Sequence, residues 1–481
     1  MSLAFIPYYI KFLGIEAYGL IGLFALLLVS LSFLDMGIAP TINREMAKYT
    51  AGKHSVQQIR DLLRTFEVII LCIGFLAAVL IFILSKPISN YWVKPDSLQT
   101  STISISIVMM GMVVGLRLIE SLYRSAAIGL QRQVWLSAVM AFFATLRGLG
   151  AVLVLVYISN SIIAFFIWQV VVSLLSATAL CIYVHNVIPL TKRASKFSKS
   201  ALYGLRKFAT SMMLISILAL LLVQMDKIIL SKMISLQQFG YYTLAATIAS
   251  ILFQLVSPIT QAYYPMLTKI ILENNIKETI LAFHNAAKLV SIIIFPIALM
   301  LIFFGEEFIH IWTQDELLAS STYPILRILV LGNLLNCFIQ MPYMFQLANG
   351  ETAWALNVSI LAMAVSVPAT IYFTLSHGVI GAASVWIFIN LGHLFFSIQF
   401  IKEDVFQKEK WRWYMYDLLL PISIALVIFL ALIRILPFNV SLTLDLVGYF
   451  LVFLILEITL VCLYFRTALT GLLNGFFKKY D

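Results

Sequence analysis

Apolar runs of about 20 residues recur along almost the whole chain, divided by short polar stretches. A helix of that length matches the ~30 Å hydrocarbon core of a bilayer. The pattern predicts spans over Tyr18–Ile42, Thr65–Leu84, Ile103–Ala126, Trp135–Tyr157 and Ile162–Val184. It continues with Phe208–Ser231, Gly240–Tyr264, Leu289–Phe304, Tyr323–Phe345, Ala355–Leu375 and Val379–Phe400. Tyr416–Leu436 and Leu444–Tyr464 complete the series. One earlier run, Ser2–Leu13, holds about 12 apolar residues, too few to cross as a helix. It has no basic leader and no cleavage site, so it is not a signal peptide, and a start upstream of Met1 is expected. The expected fold class is an all-α polytopic membrane protein of about 14 transmembrane helices, the first of them truncated.

A repeat organises these spans. The segment from Lys11 aligns without gaps on the segment from Lys232. Lys11/Lys232, Gly19/Gly240, Leu34/Leu255 and Lys48/Lys269 coincide, and Trp135 and Trp354 follow at nearly the same offset. Each repeat carries six spans, an even number, so both copies keep one orientation. Two pseudo-symmetric lobes with a substrate path between them are expected. The predicted division is 1–207 for the first lobe, 208–402 for the second, and 403–481 for two additional helices and a tail.

Composition agrees: 62% of the 481 residues are hydrophobic and 11% are charged. The net charge of +10 reads as loop charge that sets topology rather than as a nucleic-acid surface. Basic residues crowd one set of loops, from Arg44 and Lys48 through Lys192 to Lys410 and Arg412, while the alternate loops hold only Lys11, Lys86, Lys94 and Lys232. The positive-inside rule then puts both termini in the cytoplasm. The four cysteines and six histidines are scattered, and there is no phosphate loop, metal-ligand spacing or nucleophile constellation. No cofactor is expected, and the outer connections are too short for a catalytic domain.

Charges inside spans are costly, at least ~2.5 kcal/mol each, and each is a functional candidate by default. Arg117, Glu120 and Arg124 share one helical face at i, i+3, i+7. Arg147 lies at the middle of its span, and Lys227 stands beside Asp226. An Arg117–Glu120 salt bridge is the plain structural alternative, and Arg124 lies where it can snorkel to the interface. Glu67 shows no partner, and Asp35 reads as structural. In the second repeat the same spacing holds Asn333, Asn336 and Gln340, with Gln254 and Gln261 on another stripe. The expected picture is a cleft that is cationic on one side and neutral-polar on the other. Arg117, Arg124, Arg147 and Lys227 would take phosphate or acidic sugar, and the amides would take hydroxyls. Glu120 and Asp226 are the candidates for ion coupling. Pro258, Pro296, Pro342, Pro368 and Pro421 mark bends.

The stretches PYYIKFLGIEAYGLIGL, LSFLDMGIAPTINREMAK and VQMDKIILSKMISLQQFGYYTLAATI carry a resemblance. With AAIGLQRQVW and HGVIGAASVWIF they resemble polysaccharide flippases of the O-antigen type, in the multidrug/oligosaccharidyl-lipid/polysaccharide superfamily. The resemblance implies flipping of undecaprenyl-pyrophosphate-linked glycan between leaflets of the bacterial inner membrane, with cationic cavity residues. It implies membrane lipids as surroundings, and a polysaccharide polymerase and chain-length regulator as partners. Arg117 and Arg147 lie outside the matching stretches, so the family lends them no role. Rival readings are a multidrug exporter or a lipid II flippase of the same superfamily. A membrane polymerase or glycosyltransferase is disfavoured by the short outer loops.

Overall fold

The computed structural model describes residues 3–29, 37–198, 224–349, 352–397, 409–435, 451–456, 458–459 and 463. The predicted divisions at 207/208 and 402/403 lie outside these residues. So do Asp35, most of the span Phe208–Ser231 and most of Leu444–Tyr464. Among the described residues every regular element is helical, and nine helices are long and apolar enough to cross a membrane. The chain is an all-α multi-pass membrane protein. It divides into two compact units, Met1–Gly240 and Tyr241–Asp481.

The first unit holds α1 (Ile6–Leu13), α2 (Ile15–Val29), α3 (Ile38–Thr50), α4 (Val56–Pro87), α5 (Thr100–Gly129), α6 (Gln133–Tyr157) and α7 (Ile162–Val187). A helix over 224–233, α8, and the start of α9 (Leu236–Ala249) complete it. Helices begin where side chains satisfy the free N–H groups of the first turn. Ser55 and Gln58 cap α4 reciprocally, and Ser161 accepts from Ala164 N–H at the head of α7. These caps lie in polar sequence. That is why α4 starts at Val56, nine residues before the apolar run that announces it. The expected span Tyr18–Ile42 runs past a helix start, because α3 is a polar segment that begins after Gly37, and residues 30–36 lie outside the described residues. In α3 the buried Glu45 takes hydrogen bonds from Arg44, Lys48 and His54. Burial alone would raise its carboxyl pKa, and those bonds outweigh it and hold the group below its ordinary value.

Gly19 and Gly240, matched by the repeat, pack against each other. A Cβ at Gly19 would overlap the Leu236 carbonyl oxygen and stand 3.3 Å from Gly240 N. One at Gly240 would overlap the Ile15 carbonyl oxygen. Small residues let two membrane helices approach at backbone distance. Glu16, on the next turn, accepts the N–H groups of Asp96, Ser97 and Leu98. Asp96 accepts in turn from Gln237 N–H at 3.0 Å, and Lys94 Nζ donates to the Met233 carbonyl at 2.9 Å. Gly19→Val is expected to cost about 1–3 kcal/mol by overpacking, read as a lowered melting temperature. A variant that melts with the wild type would show that this crossing gives way freely.

The second unit holds α10 (Ile251–Leu272), α11 (Ile276–Phe303), α12 (Gly305–Thr313), α13 (Glu316–Ala348) and α14 (Thr352–Ser397). A π-helical turn, Trp413–Leu419, leads into α15 (Leu420–Ile435). Asn275 and Asp315 cap α11 and α13. Asp315 is thus a structural cap. α14 is two helices that meet at Gly378, with φ 62° and ψ −144°, where the sequence divides Ala355–Leu375 from Val379–Phe400.

Candidate functional site

The charged stripe on α5 sits within the first unit against α6 and α7. Glu120 is 3% exposed. Arg117 Nη1 reaches its Oε1 at 3.1 Å, as the i, i+3 spacing predicts. The second partner comes from another helix: Arg147 Nη2 lies 2.6 Å from Glu120 Oε2. Ser176 of α7 closes the group, accepting from Arg147 Nη2 at 2.8 Å and donating to Glu120 Oε2 at 2.7 Å. Three helices therefore share one carboxylate.

Arg147 is held from both sides. Trp168 Nε1 donates to the Leu146 carbonyl at 3.1 Å, and Tyr9 Oη donates to the Gly148 carbonyl at 3.1 Å. The backbone around the arginine is thereby pinned to α7 and α1. Two arginines against one glutamate leave one net positive charge. Arg117 Nε and Arg147 Nε are buried and have no hydrogen-bond partner. A buried unpaired donor costs about 1–3 kcal/mol, more beside a charge. The cluster can thus offer two N–H groups and one positive charge to an anion. Arg124 lies on the same helix but is exposed. Lys227 and Asp226 are half-buried on α8 and stand outside this knot.

The second unit repeats the arrangement without charge. Asn333, 8% exposed, donates to the Ala249 carbonyl at 2.9 Å and accepts from Trp386 Nε1 at 2.8 Å. Asn336 Nδ2 donates to Asn390 Oδ1 at 2.6 Å, and Gln340 donates to Asn336 at 3.0 Å. Glu120 and Asn336 occupy the same place in the stripe, and each is tied to the sixth span of its repeat, through Ser176 and Asn390. Gln254 and Gln261 are exposed on α10, each donating to a serine one turn back.

A further ionic node lies in the first unit. Glu67, 5% exposed, accepts from Tyr123 Oη at 2.9 Å and Arg64 at 3.2 Å, and pairs with His185 at 3.1 Å. It borders a cavity of about 80 Å³ lined by Arg60, Arg64, Glu67, His185 and Ser195. All its partners except Arg64 come from other helices, so spacing within α4 does not announce them.

The chain is thus a helical membrane protein of two units, with polar clusters at matching positions of its repeat. Residues 10–322 match the family described as polysaccharide biosynthesis protein, and the chain belongs to that family. A putative O-antigen transporter of Shigella flexneri is 22% identical over 377 residues, covering 78% of this chain and 87% of that one. Among solved structures, the lipid II flippase MurJ in an inward closed conformation superposes with a TM-score of 0.68. It covers 97% of this chain and 98% of its own, at 14% identity. An inward-facing multidrug resistance transporter of the MATE family superposes with a TM-score of 0.69, over 84% of this chain and 94% of its own, at 13% identity. The latter is described as a member of the MOP superfamily, and both likenesses are of fold.

Proposed function

We propose that the protein is a flippase that moves undecaprenyl-pyrophosphate-linked oligosaccharide from the inner to the outer leaflet. The observation that carries this reading is the pair of arginines, Arg147 buried and Arg117 half-buried, whose Nε groups are buried and unpaired around a single carboxylate. The pyrophosphate is the group they suit, by charge and by the planar donor geometry of guanidinium. The family and the O-antigen relative supply the glycan class. Asn333, Asn336, Gln340, Gln254 and Gln261 are the residues suited to sugar hydroxyls; Lys227 and Arg124 are further cations for acidic sugar.

Glu120 already receives Arg117, Arg147 and Ser176. That supports an anchoring role for Glu120 more than ion coupling, and Asp226 is kept as the other candidate for coupling. Export of an anion from an inside-negative cell gains ~2.3 kcal/mol per charge per 100 mV. The proposed setting is the bacterial inner membrane with cytoplasmic termini, following the basic loops, and a polymerase and chain-length regulator would act next on the product. The protein works by transport and not by catalysis. We keep the division at residues 207 and 402 as the proposed limits of the two repeats and the added helices.

A multidrug exporter shares the fold, but a cationic drug would meet net positive charge at the knot. The deciding experiment is reconstitution in proteoliposomes with a lipid-linked oligosaccharide on one side and a cationic dye on the other. Flipping of the glycan without dye export is the expected result. Dye export without flipping overturns the reading.

A further inference from the structure

A different ionic cluster lies in the second unit, where the turn before α15 packs on α11. His284 is 2% exposed and Asp417 is 0% exposed. His284 Nδ1 is hydrogen-bonded to the Asp417 carboxylate. Its other ring nitrogen, Nε2, lies 3.2 Å from Glu409 Oε2. Lys288 Nζ stands 3.8 Å from Asp417 Oδ1, and Arg412 lies 3.3 Å from Glu409. Among the described residues, His284, Lys288 and Arg412 act on Asp417 electrostatically. From α13, the next helix against α11, the Phe345 ring meets Phe283, beside the histidine.

An imidazole between two carboxylates has a proton deficit. Neutral histidine has one donor nitrogen and one acceptor nitrogen, while an ionised carboxylate only accepts. With both ring nitrogens facing carboxylate, a neutral ring would set one lone pair against another. One additional proton, on the ring or on a carboxyl, resolves this. Asp417 depends on that proton. Its Oδ1 is buried without a hydrogen-bond partner, and the nearby Ser291 hydroxyl is spent on the Asp417 backbone carbonyl at 2.6 Å. The π-helical turn swings Asp417 into this position, and π geometry often marks functional sites. Glu120, by contrast, has donors on both oxygens and no such deficit.

We propose that His284 and Asp417 form a proton-binding site whose occupancy sets how firmly Trp413–Leu419 docks on α11. Glu409 is its more exposed end, with a side chain 24% exposed against 0% for Asp417. Loading forms one N–H bond on the ring as an O–H bond of hydronium breaks, and release reverses it. The helix that carries Asp417 lies outside the internal repeat, so it is an addition to the repeat that makes the second unit sensitive to pH. Histidine is the side chain suited to this between about pH 5 and 8. The site stands on the cluster itself; its link to transport rests on the flippase reading above.

The test uses full-length protein in nanodiscs with ¹⁵N-labelled histidine. His284 is assigned by comparison with His284→Gln. The expected spectrum shows two protonated ring nitrogens at low pH, and as pH rises one of them is lost in Asp417→Asn or Glu409→Gln before it is lost in the wild type. One protonated nitrogen throughout in the wild type overturns the proposal. So does a spectrum unchanged by either substitution. Glu409 is the safer of the two to replace, since it is the more exposed. In proteoliposomes, a gradient of about one pH unit is expected to change the wild-type flipping rate by up to about tenfold. His284→Gln should flip without that response. A wild type that flips at one rate with and without the gradient overturns the coupling. Absence of any flipping would count against the flippase reading alone, because the nanodisc spectra judge the proton site without transport.

Discussion

Glu120→Ala is expected to destabilise the first unit by about 3–5 kcal/mol, the range for removing one partner of a buried ion pair. The size follows from what is left behind. Arg117 and Arg147 would face each other in a low-dielectric interior with no carboxylate between them, and Ser176 would lose its acceptor. An exposed salt bridge of the same geometry would be worth under about 1 kcal/mol. The measurement is denaturant unfolding of the detergent-solubilised protein. Glu120→Ala combined with Arg147→Met should cost clearly less than the sum of the single changes, because the second removes the charge that the first strands. If Glu120→Ala alone costs less than about 1 kcal/mol, the carboxylate is not what neutralises the arginines.

The half of this cluster that lies on one helix is legible in the sequence. Arg117 and Glu120 are three residues apart in an apolar run, and their pairing follows from helical period. Arg147 stands out there as a charge in mid-span, but its partner does not, because that contact is made by packing α6 against α5. Ser176 gives no signal of its own; serine is common in membrane helices. The repeat could have found it, since Asn390 sits on the sixth span of the second copy and pairs with Asn336.

His284 and Lys288 were hidden for another reason. An apolar window marks hydrocarbon depth, not helix length. It starts the ninth span at Leu289, while the Asn275 cap starts the helix at Ile276. Two charged residues that read as loop are therefore the third and fourth turns of α11. Glu67 differs: it lies inside the predicted span Thr65–Leu84, and what the sequence hides is its partners Tyr123 and His185 on other helices. In general the all-helical, multi-pass class was readable from hydropathy. The cross-helix partners were not, because they depend on rotation about each helix axis, which a smooth apolar pattern leaves open.

Arg147→Lys separates the structural part of the cluster from the functional one. The ammonium keeps the positive charge that faces Glu120, so the fold should lose clearly less than the ~3–5 kcal/mol expected of Glu120→Ala. What it cannot keep is the fork. Arg147 uses Nη2 for both Glu120 and Ser176, and this leaves Nε free in the buried interior. Lysine presents its donors at one point, so a donor spent on Glu120 is not also aimed at a second acceptor. A hydrogen bond to a charged group is worth about 1.5–3 kcal/mol, so flipping should fall about ten- to hundredfold while the melting temperature holds. Arg117→Lys should fall less, since Arg117 is the more exposed of the two, at 20% against 10% for its side chain. Wild-type flipping in Arg147→Lys would mean that charge alone serves the substrate. A lowered melting temperature with proportionate loss of flipping would mean that Arg147 belongs to the fold and not to the path.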